Sequence, residues 1–154
     1  MEKMKRINID ITNKQVEKFF SYMNLLIEWN KKINLTTIIE PKEIIIKHFV
    51  DCGTILKYLK DGENVIDIGT GAGFPGIPVK ILNENLNVTL VDSLNKRINF
   101  LNEVCIALDL KNIELIHSRA EDLAKNKSYR ENFDKSVSRA VANLTTLAEY
   151  DLPF

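Results

Sequence analysis

Only two cysteines occur in 154 residues, Cys52 and Cys105, and neither belongs to a CxxC pair or a His-spaced ligand set. This argues against a disulfide-stapled scaffold or a zinc module and favours reduced, buried thiols, hence a cytoplasmic protein without a metal. Long apolar runs are missing as well. The densest stretch, Ile44-Ile45-Ile46, is broken by Lys47 and His48, far short of the ~18 residues of a membrane span. The charged start, Met1 to Arg6, is followed by no apolar segment of the kind a secretory signal needs. Net charge is absent too, because 21 Lys and Arg offset 21 Asp and Glu, which argues against binding of nucleic acid by one large basic face. The two signs are unevenly placed. Residues 1–60 carry 11 basic and 7 acidic side chains and residues 61–154 carry 10 and 14, so a nucleic acid would meet the first third. Two ordinary solvated surfaces are an equal reading of that split.

What is present reads as an α/β protein. In the N-terminal helical region, residues 1–60, Thr12 and Gln15 have the spacing of a capping box, and Val16, Phe19, Phe20, Met23, Leu26 and Ile27 recur at helical spacing. Pro41 suits a first helical position, with a second apolar face through Ile44, Ile45, His48, Phe49, Cys52, Ile55 and Leu56. From residue 61 to 154 strands and helices alternate. Strands are expected at Asn64–Ile68, Asn87–Asp92, Asn112–Ile116 and Phe133–Ser138, and helices at Ile77–Leu82, Leu94–Leu108 and Asn143–Tyr150. This alternation predicts right-handed crossovers and a mostly parallel Rossmann-like sheet, covered on both faces. The chain ends on Asp151-Leu152-Pro153-Phe154 after about four strands. An apolar ending there suggests a fragment with an incomplete sheet, whose unpaired fourth strand would favour instability or self-association.

The strongest local signal is Asp67-Ile68-Gly69-Thr70-Gly71-Ala72-Gly73-Phe74-Pro75-Gly76, which leaves a strand and opens a helix. Gly69, Gly71 and Gly73 allow a tight turn beside a nucleotide, and at the end of the next strand Asp92 can accept ribose hydroxyls. No Gly-Lys-Ser/Thr follows, so this is not a P-loop. A nicotinamide-dependent oxidoreductase uses the same loop and acid. Two residues favour a methyl donor instead. Asp67 can meet a cationic amino group or orient the loop through water, and Pro75 removes an N–H donor that a pyrophosphate would want. After the third strand, Ala120, Glu121 and Asp122 stand where an adenine would lie, although acids in a first helical turn also stabilise the helix dipole.

The chain resembles the ribosomal RNA small subunit methyltransferase G family, also called glucose-inhibited division protein B. The resemblance rests on Trp29 through Thr36, His48 through Cys52, Asp67 through Pro78, Leu90 through Arg97, and Ser138-Arg139-Ala140-Val141-Ala142. It implies a class I methyltransferase sheet and transfer of a methyl group from S-adenosyl-L-methionine to N7 of a guanine in small-subunit ribosomal RNA. S-adenosyl-L-homocysteine is then the product, and the partner is ribosomal RNA or the small subunit, with no membrane and no obligate protein partner. It also implies donor contacts from Gly69, Phe74, Asp92, Ala120, Glu121 and Arg139. Cys52 stands where many members carry serine, and members continue through further strands, so a donor-binding fragment without catalysis is a second reading.

Guanine N7 bears no proton, so transfer to it needs no general base. The isolated His48 and His117 fit that chemistry as structural residues, and no Asn-Pro-Pro-Tyr string marks amine methylation. Arg139, after the fourth strand, is the expected catalytic residue at the active-site mouth; a surface arginine paired with an acid is the competing reading. Lys31, Lys32 and Lys47 are the expected RNA contacts, with Trp29 and His48 as stacking surfaces, although Trp29 continues a helix face and suits core packing better.

Overall fold

The computed structural model describes residues 2–139 and 144–154. Ala140, Val141 and Ala142 of the Ser-Arg-Ala-Val-Ala string, and Asn143 at the expected start of the last helix, lie outside the described residues. Helices α1 (Glu2–Lys5) and α2 (Asn13–Asn30) come first. Helix α3 (Pro41–Ile44) then runs through a π-helical turn (Ile45–Val50) into α4 (Asp51–Gly53) and a 3₁₀ turn (Leu56–Tyr58). Strand and helix alternate from there: β1 (Asn64–Ile68), α5 (Gly76–Leu82), β2 (Asn87–Asp92), α6 (Asn95–Ala107), β3 (Ile113–His117), α7 (Ala120–Leu123), β4 (Lys135–Val137) and α8 (Leu144–Asp151). The expected bounds of β1 and β2 hold; β3 begins one residue later and β4 is shorter than the sequence suggested. Among the described residues no helix is long and apolar enough to cross a membrane.

The sheet has the order β3-β2-β1-β4 and every pairing is parallel. The chain steps outward from β1 to β3, then returns to place β4 on the other side of β1. A crevice therefore opens at the carboxyl end of β1, where the winding reverses. Strand alternation divides the core. Val65, Val88 and Leu90 join the cluster that includes Phe19, Tyr22, Ile77 and Phe100, while Ile66, Ile68 and Val91 join Ala120, Leu123 and Phe154 on the opposite face. The N-terminal helices thus share one core with the sheet.

Local chemistry explains how the first layer docks. The Thr12 hydroxyl accepts the Gln15 N–H at 3.2 Å and Gln15 Oε1 accepts the Thr12 N–H at 2.9 Å, completing the expected capping box. Gln15 Nε2 also donates to the Ile81 and Leu82 carbonyls, satisfying orphan acceptors at the end of α5. On α2 the buried face is Phe19, Tyr22, Met23 and Leu26. Phe20, expected on that face, is 52% exposed, because it lies about 100° round the helix from Phe19. The π-helical turn widens the backbone, and the consecutive His48 and Phe49 both point inward within it.

At the other end, Ser136 and Ser138 donate to the two oxygens of Asp151 at 2.5 and 2.7 Å, pinning α8 over β4. Of the last residues, Phe154 is buried and Leu152 is exposed, and the carbonyls of Pro153 and Phe154 accept the Glu131 and Phe133 N–H groups.

Close packing sets one testable limit. A Cβ on Gly76 would lie 2.2 Å from Leu90 Cδ2 and 2.8 Å from Asp67 Oδ2, whereas at Gly62 (φ +81°) nothing stands within 4 Å. Gly76→Ala is expected to cost about 1–3 kcal/mol by overpacking, and Gly62→Ala about 1 kcal/mol through its backbone conformation alone. Thermal unfolding of the two variants checks the ranking; equal losses would remove the packing explanation.

Candidate functional site

The carboxyl ends of β1 and β2 carry the two acids singled out in the sequence, and both are buried. Asp67 has no exposed surface. Its Oδ2 accepts the Thr70 hydroxyl and the Gly76 N–H, each at 2.8 Å, so it orients the loop by direct bonds where a bridging water was expected. Its other oxygen, Oδ1, is buried and has no partner. Burial pushes the Asp67 carboxyl up to about 7, against the opposing pull of those two hydrogen bonds. Asp92 is 2% exposed and is engaged at three points. Oδ1 accepts the Leu94 N–H at 2.9 Å, and Oδ2 accepts the Gly71 N–H at 2.9 Å and Arg97 Nη1 at 3.2 Å. A carboxylate offers about four acceptor positions, so one remains.

The loop between these acids turns through positive φ at Gly69 (67°) and Gly71 (62°), a region costly for a side chain. At Gly71 the space beyond the missing Cβ is open, with Gly69 O the nearest atom at 3.9 Å. Gly73 differs from its expected role. A Cβ there would meet Ile77, Leu101 and Tyr22 at 2.6–2.9 Å, so its missing side chain makes room for protein packing. Phe74 also turns inward. Its ring stacks on His48 with centroids 4.3 Å apart and an interplanar angle of 18°.

A cavity of about 360 Å³ opens beside the loop, bringing together Gly69, Asp92, Ala120 and Glu121. Ser93, Ser118 and Tyr150 complete much of its wall. Asp67, Gly71, Gly73, Phe74 and Arg139 do not line it. A larger hollow, about 690 Å³, opens near the amino ends of the strands beside Lys14, Lys18 and Lys111. It contains none of the sequence-predicted residues, and Lys80 in its wall is spent on the Glu84 and Leu86 carbonyls.

Arg139 is turned toward the N-terminal layer. Nη2 donates to Lys47 O at 2.8 Å and His48 Nδ1 at 3.1 Å, and Nη1 approaches Cys52 Sγ at 3.3 Å and Asp51 Oδ2 at 3.4 Å. Because arginine only donates, His48 Nδ1 must accept, and the proton sits on Nε2, 3.0 Å from the Thr36 hydroxyl. Burial, reinforced by the Arg139 charge, pushes His48 down to about 4, so it is neutral. At 7% exposure and stacked on Phe74, His48 is not a surface for a nucleobase. Burial and the Arg139 guanidinium push the Cys52 thiol in opposite directions. Burial dominates over Arg139 and raises it to about 12.

Lys31, Lys32 and Lys47 are exposed. Lys32 lies 3.9 Å from Glu28 and Lys47 2.7 Å from Glu43, which leaves Lys31 without an ion-pair partner among the described residues. Trp29 packs on Phe100, as a core role requires. Sequence reasoning missed Tyr22, Thr36 and Tyr150. Helical spacing from Phe19 to Leu26 passes through Tyr22, so that signal was available; Thr36 and Tyr150 reach their partners only through the fold.

The description "rRNA small subunit methyltransferase G" matches residues 15–154. A protein of that name from Clostridium botulinum strain 657 is 57% identical over 150 residues, covering 96% of this chain and 63% of its own. Another from Desulforamulus reducens is 59% identical over 151 residues, covering 97% and 63% respectively. The chain therefore spans 63% of the length of these relatives. Among solved structures, a protein from Methanococcus maripaludis classed as an S-adenosyl-L-methionine-dependent methyltransferase superposes with a TM-score of 0.60 at 14% identity, covering 85% of this chain and 56% of its own. A precorrin-6y C5,15-methyltransferase from Geobacter metallireducens gives 0.51 at 15% identity, covering 73% and 54%. At that identity the likeness speaks for the fold, which is the Rossmann-like sheet of S-adenosylmethionine-dependent methyltransferases. With the family match across nearly its whole length, the chain belongs to the rRNA small subunit methyltransferase G family.

Proposed function

We propose that the chain binds S-adenosyl-L-methionine beside Gly69, Asp92, Ala120 and Glu121, and that the whole protein methylates N7 of a guanine in 16S ribosomal RNA. S-adenosyl-L-homocysteine is the product, and no metal takes part. The observation that carries the donor assignment is the buried Asp67 carboxylate at the start of α5. It already occupies the Gly76 N–H, and Pro75 has no N–H to offer. A pyrophosphate at that helix end would meet a carboxylate in place of free donors, which disfavours a nicotinamide dinucleotide. A donor that is cationic and lacks phosphate suits the same place. Asp67 Oδ1, buried behind the cavity wall, supplies an unpartnered acceptor that the donor's ammonium group reaches across a water or once the loop parts. Gly71 and Gly73 shape the loop around it, and the Phe74 backbone lies within reach of the same turn. Asp92 has one acceptor position left for a ribose hydroxyl, and a second hydroxyl displaces Arg97, whose side chain is 32% exposed.

For the acceptor, guanine N7 attacks with its own lone pair, so the protein's part is placement, exclusion of water and compensation of charge. Neutral His48, bonded on both ring nitrogens, is not needed as a base. Arg139 is the residue we assign to the active-site mouth, contacting the donor or guanine O6 while holding the end of β4 to the N-terminal layer. Lys31, Lys32 and Lys47 pair with phosphates of the ribosomal RNA or the assembled small subunit.

Three measurements test this reading. In calorimetry the chain is expected to bind S-adenosyl-L-homocysteine and not NAD. The affinity should rise with pH through about 7 as Asp67 ionises, and Asp67→Asn should flatten that rise. The sign for stability is opposite: a carboxyl raised on folding contributes fully below its unfolded value and loses that contribution as pH climbs through about 7. Binding of NAD, or an affinity indifferent to pH, overturns the assignment. With small ribosomal subunits as substrate, Arg139→Ala in a full-length relative should cut methyl transfer about a hundredfold or more with a modest change in melting temperature. Matching losses would make Arg139 structural, and transfer by the full-length protein alone would make this chain a donor-binding fragment. Charge reversal at Lys31 and Lys32 should weaken RNA affinity and flatten its salt dependence by about one unit per lost phosphate contact; unchanged affinity returns these lysines to the solvated surface.

A further inference from the structure

The glycine loop is fixed from below and from one side by carboxylates, yet its middle is held by neither. Asp67 takes Thr70 and Gly76, and Asp92 takes the Gly71 N–H. Between them lies the Ala72–Gly73 peptide, whose N–H donates to Thr70 O at 2.9 Å while its carbonyl meets neither acid, next to a glycine with φ +97°. Its carbonyl points out of the loop toward α2, where the Tyr22 hydroxyl donates to Ala72 O. Tyr22 has no exposed surface and stacks on Phe49, with Phe74 5.7 Å away on the loop itself. The ring is therefore locked, and the hydroxyl has one direction in which to donate. Burial raises the phenol well above its ordinary value, so the donor proton stays in place across the working pH range.

We infer that Tyr22 is a positioning residue for the donor site: its hydroxyl sets the orientation of the 72–73 peptide and with it the shape of the loop wall. The inference rests on the proposed donor reading only for its functional consequence. The brace itself is a property of the free chain. Without the hydroxyl, the Ala72 carbonyl loses its partner and the peptide is held only through the Gly73 N–H bond to Thr70 O, so the loop samples shapes that do not match the donor.

Tyr22→Phe keeps the ring and removes only the oxygen. Hydrogen exchange of the free chain is expected to show the Gly71, Ala72, Gly73 and Phe74 amides exchanging about tenfold faster. Affinity for S-adenosyl-L-homocysteine should fall about three- to tenfold. Met23→Ala, which opens space on the same helix away from the loop, should lower the melting temperature and leave both readings unchanged. Unaltered exchange at those amides in Tyr22→Phe, or an equal rise in Met23→Ala, overturns the brace. In the wild-type chain, a slowly exchanging hydroxyl proton with a nuclear Overhauser contact to the Gly73 α-protons is the companion signature, and its absence also counts against it. If the wild type binds no S-adenosyl-L-homocysteine while these amides respond, the donor reading fails and the brace stands. Binding with unresponsive amides has the reverse meaning.

Discussion

A carboxylate without any contact with solvent sits under the glycine loop, and the site is organised around it. Burying Asp67 costs free energy, and two hydrogen bonds to Oδ2 offset only part of that cost. The remaining oxygen has no partner, which is rare for a buried charged group. A protein that stores an unsatisfied acceptor at the switch point of its sheet keeps a local electrostatic demand there. A cation answers that demand and an anion aggravates it. The same carboxylate accepts the Gly76 N–H at the first turn of α5, so the backbone of the loop and the charge beneath it have one cause.

The helical layer before the sheet is a working part of that arrangement. Asn30 accepts the Leu35 and Thr36 N–H groups and donates to Thr36 O, shaping the turn after α2. Thr36 meets His48, and His48 meets both Phe74 of the loop and Arg139 after β4. A continuous polar and aromatic path therefore joins the end of α2 to the glycine loop and to the end of β4. The methyl transfer proposed here, to an unprotonated nitrogen, would ask for rigid placement above all, and this layer is rigid.

Much of this was legible in the chain itself. The apolar runs that end in glycine or aspartate gave β1 and β2, because a strand buried on both faces has little freedom in composition, and the spacing of Asp67, the glycines and Asp92 located the crevice. What stayed hidden depends on contacts distant in sequence. Phe20 and Tyr22 look alike as members of an apolar helix face, and only the sheet beneath decides which is covered. The apolar face read from the sequence already held both His48 and Phe49, but the π-helical turn that lets two consecutive side chains point inward has no sequence mark. Asp92 read as a free ribose ligand because its bonds to Gly71 and Arg97 exist only once the loop has closed. Gly73 read as ligand space for a similar reason, since Leu101 and Tyr22 reach it from elsewhere in the chain.

Two side chains of helix α2 anchor the segment that carries α5. Gln15 holds the Ile81 and Leu82 carbonyls at its far end, and Tyr22 holds Ala72 just ahead of its near end. Seven positions separate the two anchors, which is about two helical turns and about 10.5 Å, the rise of α5 itself. The two anchors on the longer outer helix are thus spaced to the length of the inner one. One residue gained or lost between positions 15 and 22 would swing one anchor about 100° out of line, so this stretch tolerates exchange of side chains far better than any change of length.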